Sequence, residues 1–581
     1  MKRFSSLIVL ALVAGLVGLV GSPASAATTR WVNDDDPNGG GYAPPGTSCD
    51  DPGYATIQAA VNAAASGETI NVCPGTYAET VTLPAGLNSL TIRGTDPADR
   101  PLITEGFVFD GDRSNLSLED LRVTRTTSWS TTETSVIRNA GILIGLTFEN
   151  VEVDGQNFLV TNVMGLPLQG HGVSGGQIQG AVDVHDSQFV NIKGWAVFDT
   201  RSGSSGPTTG SLLTTFDFSD NYLANNAGHV VARSTIGFET QSVTISGNTV
   251  EDYPDAPASN SASVFKVFYS QETSFTDNVI SNIGILQASI GGAPYGSGLM
   301  PRNAGPLTVT GNTFDDSVQG IAFEPRNTTS GGFPDGVISG GTVDHNHFTN
   351  NMTGIFVRAT NHPSSTLGSL ATNRNELDGN TTAINNESST TMNAQCNWWG
   401  SSDGPGPVGP GTGDPVSNNV DYSLWLVTAD LDGACIGDLS MGRKQAVRDS
   451  LEAKQATADE KDAKRIAKAI EHIDKSLNPK YWDDATHLDP KEGKKVFEEE
   501  KKAVKELTEV ENTDVTPEIL EIVDIDRDLA QTEYDEAPPG KEKDKAGEEL
   551  MRGDMEAAMM RYASAIEHYK KAWEHAVKAQ S

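Results

Sequence analysis

The chain has 581 residues, 42 Lys and Arg against 77 Asp and Glu, and a formal charge of −35. That length admits several domains and a large buried core. The acidic balance excludes nucleic acid as a partner, because phosphate binding needs clustered Lys and Arg, and 59 Gly without a triplet period exclude a collagen-like chain.

Charge is unevenly spread. Residues 438–581 hold 25 basic and 35 acidic side chains, and the first 437 residues hold only 17 and 42. Two physical designs therefore meet near Asp438. The first segment, residues 1–26, reads as a secretory signal: Lys2-Arg3, an apolar run from Leu7 to Val20, and Ala24-Ser25-Ala26 as the cleavage site. No later stretch approaches the ~18 apolar residues of a spanning helix, so no membrane span is expected after cleavage. The expected location is secreted, extracellular or at the cell surface. Export permits disulfides. The four Cys allow three pairings, and the local one, Cys49–Cys73 with Cys396–Cys435, is the simplest. Metal ligation by these Cys is the other reading, but no CxxC spacing supports it.

Residues 27–437 read as one unit. Near its start Ile57, Ala60, Val61 and Ala64 form one apolar stripe on a short helix, suited to cover the open end of a stack. The middle is periodic. The segments VDVHDSQF (182–189), FDFSDNYL (216–223), VTISGNTV (243–250) and LTVTGNTF (307–314) share apolar alternation around one anchor. The anchors are Leu121, Val151, Ser187, Asn221, Asn248, Asn278, Asn312, Asn346, Asn375 and Asn397, with gaps of 22 to 36 residues. Period-two alternation means strands, and repeats of this length mean a solenoid. The last seven anchors are Asn, placed where amides hydrogen-bond up a stack and where Asn tolerates a left-handed turn. A second strand follows each anchor, as in GWAVF (194–198), GHVVA (228–232), SVFKVF (263–268) and GIAFE (320–324). The remaining turn varies in length. Trp398, Trp399 and Trp425 are placed to close the far end, with sugar stacking as the other reading of the Trp pair.

The opening ATIQAAVNAAASGETINVCPGTYAETV (55–81) and the closing CNWWGSSDGPG (396–406) with VDYSLWL (420–426) resemble secreted right-handed parallel β-helix proteins of the pectate-lyase-like fold. The resemblance covers roughly residues 30–437 and implies a mainly β fold, a right-handed parallel β-helix of about ten coils. It is weak for activity. The PGTYAE run at 74–79 is similar to the opening of pectinesterase-like proteins, but their later aspartate segments are missing. Gly170-His171-Gly172 is similar to part of a polygalacturonase site, but the paired Asp and the Arg-x-Lys of that family are absent, which leaves His171 an ordinary turn residue. In pectate-lyase-like enzymes an Arg acts as base and Asp or Glu hold calcium; no Asp cluster for calcium stands out here. No cofactor is expected, with calcium left open. Cys or Ser nucleophiles have no support.

The basic residues carry more information. Between 139 and 437 there are eight, and six follow the second strand of successive coils: Arg201, Arg233, Lys266, Arg302, Arg326 and Arg358. Stacked, they make a ladder that repels itself unless acids or an anionic ligand lie beside it. Asp199, Glu239, Glu324 and Asp335 are the acids near enough in sequence to pair with it.

Residues 438–581 change to helical periodicity. Ile466, Ile470, Ile473 and Leu477 form one seam, and Met559, Tyr562, Ile566, Tyr569 and Trp573 another. Pro-containing breaks predict five or six helices in a bundle, the last pair a tetratricopeptide-like hairpin with Gly553 at its turn. Tyr481 to Asp484 and His487 are expected in a packing loop; His487 with Asp483, Asp484 and Asp489 is the alternative, a metal site. The sequence thus points to a secreted β-helix protein that binds an extended anionic polysaccharide, with cleavage left open and no complete catalytic motif. The competing class is a non-catalytic surface or adhesion protein, its bundle meeting a protein or cell-envelope partner.

Overall fold

The computed structural model describes residues 28–580 apart from 128–134, 162–166, 170, 201–212, 235–238, 256–262, 291–292, 324–337, 339, 359–366, 368–369, 408–410 and 437–438. The proposed signal segment lies outside the described residues.

One coil shows how the sequence becomes structure. Leu307–Thr310 forms a strand of a first sheet, Thr313–Asp315 of a second and Gln319–Phe323 of a third. Each pairs in parallel with its counterpart one coil on, Val309 against Val343, Phe314 against Phe348 and Ile321 against Ile355. Like residues thus stack on like. The apolar alternates of all three strands turn inward and are buried. Phe275, Phe314 and Phe348 are stacked along the axis, with ring centroids 6.1 and 4.9 Å apart. Repetition gives a solenoid of about nine turns between residues 76 and 421, with one continuous core from Val32 to Val420. Two 15-residue strands, Ser135–Glu149 and His171–His185, run from the third sheet straight into the first and join them in one hydrogen-bonded network.

The corner between first and second sheets is held by the anchor Asn residues. The Asn312 side-chain oxygen accepts from the main-chain N–H and the side-chain amide of Asn278, both at 2.9 Å. The Asn312 amide in turn donates to Phe275 O at 2.8 Å, Thr310 O at 3.0 Å and Asn346 Oδ1 at 2.8 Å. The same pattern runs from Asn221 to Asn397 and begins at Ser187, whose N–H donates to Asn221. The left-handed residue is not the anchor but its predecessor: Asp220, Gly247, Asp277, Gly311, His345, Arg374 and Cys396 all have φ between 53° and 70°. That residue makes the bend, which frees the Asn side chain to point into the stack.

A second ladder holds the corner between second and third sheets. The Ser317 N–H donates to Asn351 Oδ1 at 3.0 Å, and Asn351 donates to Asn380 Oδ1 through both its main chain and its side chain. The last rung is Asp414, which accepts from Asn380 at 2.6 and 3.0 Å. A carboxylate suits that place, because the last rung needs only to accept. Here too the preceding residue is left-handed, as at Asp316, Asn350 and Gly379. Among the described residues the third corner shows no such ladder, and it carries the connections of variable length.

Both ends are closed. The helix Ile57–Ala63 buries Ile57, Ala60 and Val61 against the first coils. Its N-terminus is held by Thr56 Oγ1, which accepts from Ala59, and by the Glu79 carboxylate, which accepts from the Ile57 and Gln58 N–H groups at 2.7 and 2.9 Å. At the far end Trp399 is fully buried and Trp425 packs against the core, so this part of the Trp cluster serves packing. The disulfides pair as expected, Cys49–Cys73 and Cys396–Cys435.

Beyond them the described chain forms six α-helices, Ser440–Gln455, Glu460–Ser476, Lys494–Leu507, Thr516–Glu536, Lys541–Ala558 and Tyr562–Gln580, around a separate core. The last turn differs from expectation. Gly553 lies inside Lys541–Ala558, where its bare backbone packs against the Tyr569 ring, and the turn is Met559 to Arg561 with Met560 left-handed. In the bundle core Lys444, Glu500 and Asp526 are fully buried together. The Lys444 ammonium lies 2.9 Å from Asp526 and 3.3 Å from Glu500, which also accepts from the Ser476 hydroxyl.

Candidate functional site

The outward side of the third sheet brings the chemistry together. Its strands include Ala196–Asp199, His229–Arg233, Ser263–Ser270, Ser297–Ala304, Gln319–Phe323 and Thr353–Val357. Register sets which side chains share a column. Arg233 lies opposite Phe268, and Phe268 opposite Arg302. The two guanidinium groups flank the Phe268 ring, their carbons 5.1 and 5.7 Å from its centroid. Each such contact contributes about 0.5–1 kcal/mol where exposed and more where desolvated. The ring separates two cations that would otherwise repel at rung spacing.

Lys266 stands elsewhere. It lies opposite Val231 and Met300, one column away, and is 7% exposed. Two residues of strand separate it from the Arg column, and Phe268 takes the rung between Arg233 and Arg302. Arg358 directly follows Thr353–Val357, and its N–H donates to Phe323 O at 3.0 Å. Arg201 and Arg326 lie outside the described residues, as do Glu324 and Asp335. The other two basic residues of this stretch tie down main chain: Lys193 donates to Asn225 O, and Arg374 to the carbonyls of Leu431 and Gly433.

Beside Lys266 lies a group that sequence reasoning passed over. His171, Trp195 and His229 stack in three successive rungs, with ring centroids 5.1 and 5.4 Å apart. His171 is thus no turn residue; it opens the strand His171–His185. Burial pushes its imidazole down to about 4, against the pull of Asp199. Burial pushes His229 down to about 3, with Lys266 and Arg233 adding to the effect and Asp199 opposing it. The Asp199 carboxylate lies 3.8 Å from His229 Nε2, and both residues are buried. The clue lay in the glycines: Gly194-Trp195 and Gly228-His229 open consecutive strands, and aligning on Gly puts the two rings on adjacent rungs.

Further along, the same face is apolar. Tyr295, Met300, Ala322 and Phe356 form a small buried cluster against which Phe268 packs, with Tyr295 edge-on to Phe356 at 5.7 Å. The face therefore combines two half-buried guanidiniums, buried polar rings and an apolar floor. Guanidiniums suit carboxylates by bidentate donation, and flat rings suit the faces of sugars. Among the described residues no group of three His, Cys, Asp or Glu side chains is arranged to hold a metal ion. In the bundle, His487 is clamped between Asp484 at 2.9 Å and Glu536 at 3.1 Å, joining a loop to a helix. Among the described residues no helix is long and apolar enough to cross a membrane.

Residues 208–398 match the family model described as "Right handed beta helix region". No curated protein matches the chain. Among solved structures it is similar to the pectate lyase Pel9A, with TM-score 0.30, 13% identity and coverage of 68% of this chain and 79% of that one. It is similar to a PL6 alginate lyase complexed with a trisaccharide, with TM-score 0.28, 10% identity and coverage of 65% and 87%. A third is Escherichia coli ybhc, with TM-score 0.22, 12% identity and coverage of 63% and 83%. With its parallel coils, two ladders and matched repeat region, the chain is a right-handed parallel β-helix with a C-terminal helical region.

Proposed function

We propose that this is a secreted protein that binds an extended anionic polysaccharide, a polyuronate, along the outward side of its third sheet. The observation that carries the reading is the Arg233–Phe268–Arg302 column: two guanidiniums held at fixed spacing on a chain of charge −35. Like charges gathered on an otherwise acidic protein attract an anion that repeats at a similar interval. The Trp195 ring, two columns away beyond Lys266, adds an aromatic group to the same face, and eliminative cleavage is the extension of this reading that a product assay tests. Four disulfide-bonded Cys support export.

The test is binding of polygalacturonate and alginate, with a neutral glucan as control, to the wild-type chain and to Arg233→Ala/Arg302→Ala. Uronate binding that weakens with salt and is lost in the variant supports the reading. Equal binding by both proteins, or none by the wild type, overturns it and leaves the solenoid as a rigid spacer for an adhesive bundle. Ultraviolet absorbance of an unsaturated product separates a lyase from a binder.

A further inference from the structure

The bundle core holds a reactive set of side chains that polysaccharide binding does not use. Lys444, Glu500, Asp526 and Ser476 are fully buried and come from four different helices, Ser440–Gln455, Lys494–Leu507, Thr516–Glu536 and Glu460–Ser476. The Lys444 nitrogen lies 2.9 Å from Asp526 Oδ1 and 3.3 Å from Glu500 Oε2. The Ser476 hydroxyl donates to Glu500 Oε1 and fixes that carboxylate. Asp526 Oδ2 is buried and makes no hydrogen bond among the described residues. One turn away from these groups the side chains are apolar and buried: Val447, Val496, Phe497, Val504, Ile522 and Leu529. A buried ion pair often stabilises a core no better than apolar side chains of the same volume. An amine held against one carboxyl, with a second carboxylate beside it to carry protons, is however the composition of a condensation site.

We propose that Lys444 and Asp526 condense to an isopeptide bond, with Glu500 as the proton relay. The Lys444 ammonium passes one proton to the Glu500 carboxylate and becomes a neutral amine. Its lone pair attacks Cγ of protonated Asp526, the form that burial and the nearby Glu500 favour. The N–Cγ bond forms, a second amine proton joins the Oδ2 hydroxyl, and the Cγ–Oδ2 bond breaks to release water. Nitrogen keeps its third proton as the amide N–H, and Glu500 keeps the first. The product leaves no charge in the core, which removes the cost of burying ions. Amide formation from an acid and an amine is unfavourable in bulk water, but fixed approach within one chain supplies an effective concentration of about 10⁵–10⁸ M where the groups are well oriented. The bond joins the first and fourth helices of the bundle through residues 82 positions apart. Asp526 titrates only in the chain that has not yet linked.

The experiment folds the whole chain, then reduces, denatures and digests it with trypsin for mass spectrometry. Trypsin does not cut after an acylated lysine, so the expected product is residues 444–448 joined to residues 506–527 as one branched peptide, lighter than the two together by one water. Glu500→Ala, with its fold verified by circular dichroism, is expected to lose the branched peptide and to release residues 445–448 and 506–527 separately. Separate, unmodified peptides from the wild-type chain overturn the proposal whatever the variant does, and leave the group a buried ion cluster. A branched peptide formed in equal yield by Glu500→Ala overturns the relay.

Discussion

Removing one rung of the anchor ladder tests what holds the solenoid together. In Asn312→Ala the Asn278 main-chain N–H and side-chain amide lose the oxygen they share, and Phe275 O, Thr310 O and Asn346 Oδ1 lose a donor. Asn312 is 0% exposed, so water does not replace it. The two accepted bonds are worth about 1 kcal/mol each, and the stranded buried N–H adds about 1–3 kcal/mol, giving a loss of about 3–5 kcal/mol. Exposed Asn418, replaced in the same way, shifts stability by less than about 0.5 kcal/mol. A repeat array need not unfold in one step. The measurement is therefore amide hydrogen exchange in peptides covering the Asn278 and Asn312 turns, alongside urea denaturation. If Asn312→Ala and Asn418→Ala exchange alike, the ladder is a decoration and the apolar stack alone sets the coils.

Two further outcomes follow from the bundle. Burial pushes the Asp526 carboxyl up to about 7, Glu500 adding to the rise and Lys444 opposing it. Its folded pKa lies above the ordinary carboxylate value, so its contribution is full below about pH 4 and is lost as pH rises towards 7. Asp526→Asn flattens that slope in urea titrations across pH, and an unchanged slope refutes the assignment. A Cβ at Gly553 would stand 2.3 Å from Tyr569 Cε1, whereas one at Gly540 meets nothing within 4 Å. Gly553→Ala therefore costs about 1–3 kcal/mol in thermal melts and Gly540→Ala little, and equal melts refute the packing argument.

What the sequence revealed depended on repetition. The Asn anchors were legible because one residue type recurs at one place, and the apolar residues two positions later recur with it. The second ladder was not, because its rungs are Asn226, Ser317, Asn351, Asn380 and Asp414 and share only the ability to accept a hydrogen bond. The left-handed bend was assigned to Asn by propensity, but Asp, Gly, His, Arg and Cys take it one position earlier, where the turn demands φ whatever the residue. At the site, counting from strand starts placed Lys266 with the arginines. Register moves it by two residues, which keeps it on the same side and puts it in another column. The His171–Trp195–His229 stack was hidden because each ring belongs to a different coil and only pairing assembles it.

The unladdered corner has a consequence of its own. Residues 271–272 suffice to join Ser263–Ser270 to Thr273–Thr276, whereas residues 324–340 join Gln319–Phe323 to Gly341–Asp344. Register on either side is the same in both coils. The protein thus separates what must repeat from what is free to differ. Inserted chain at this corner leaves both asparagine rows in step, since it follows the last residue of a third-sheet strand and precedes the first residue of the next coil. Length and sequence at this corner are therefore free to change while the scaffold stays the same.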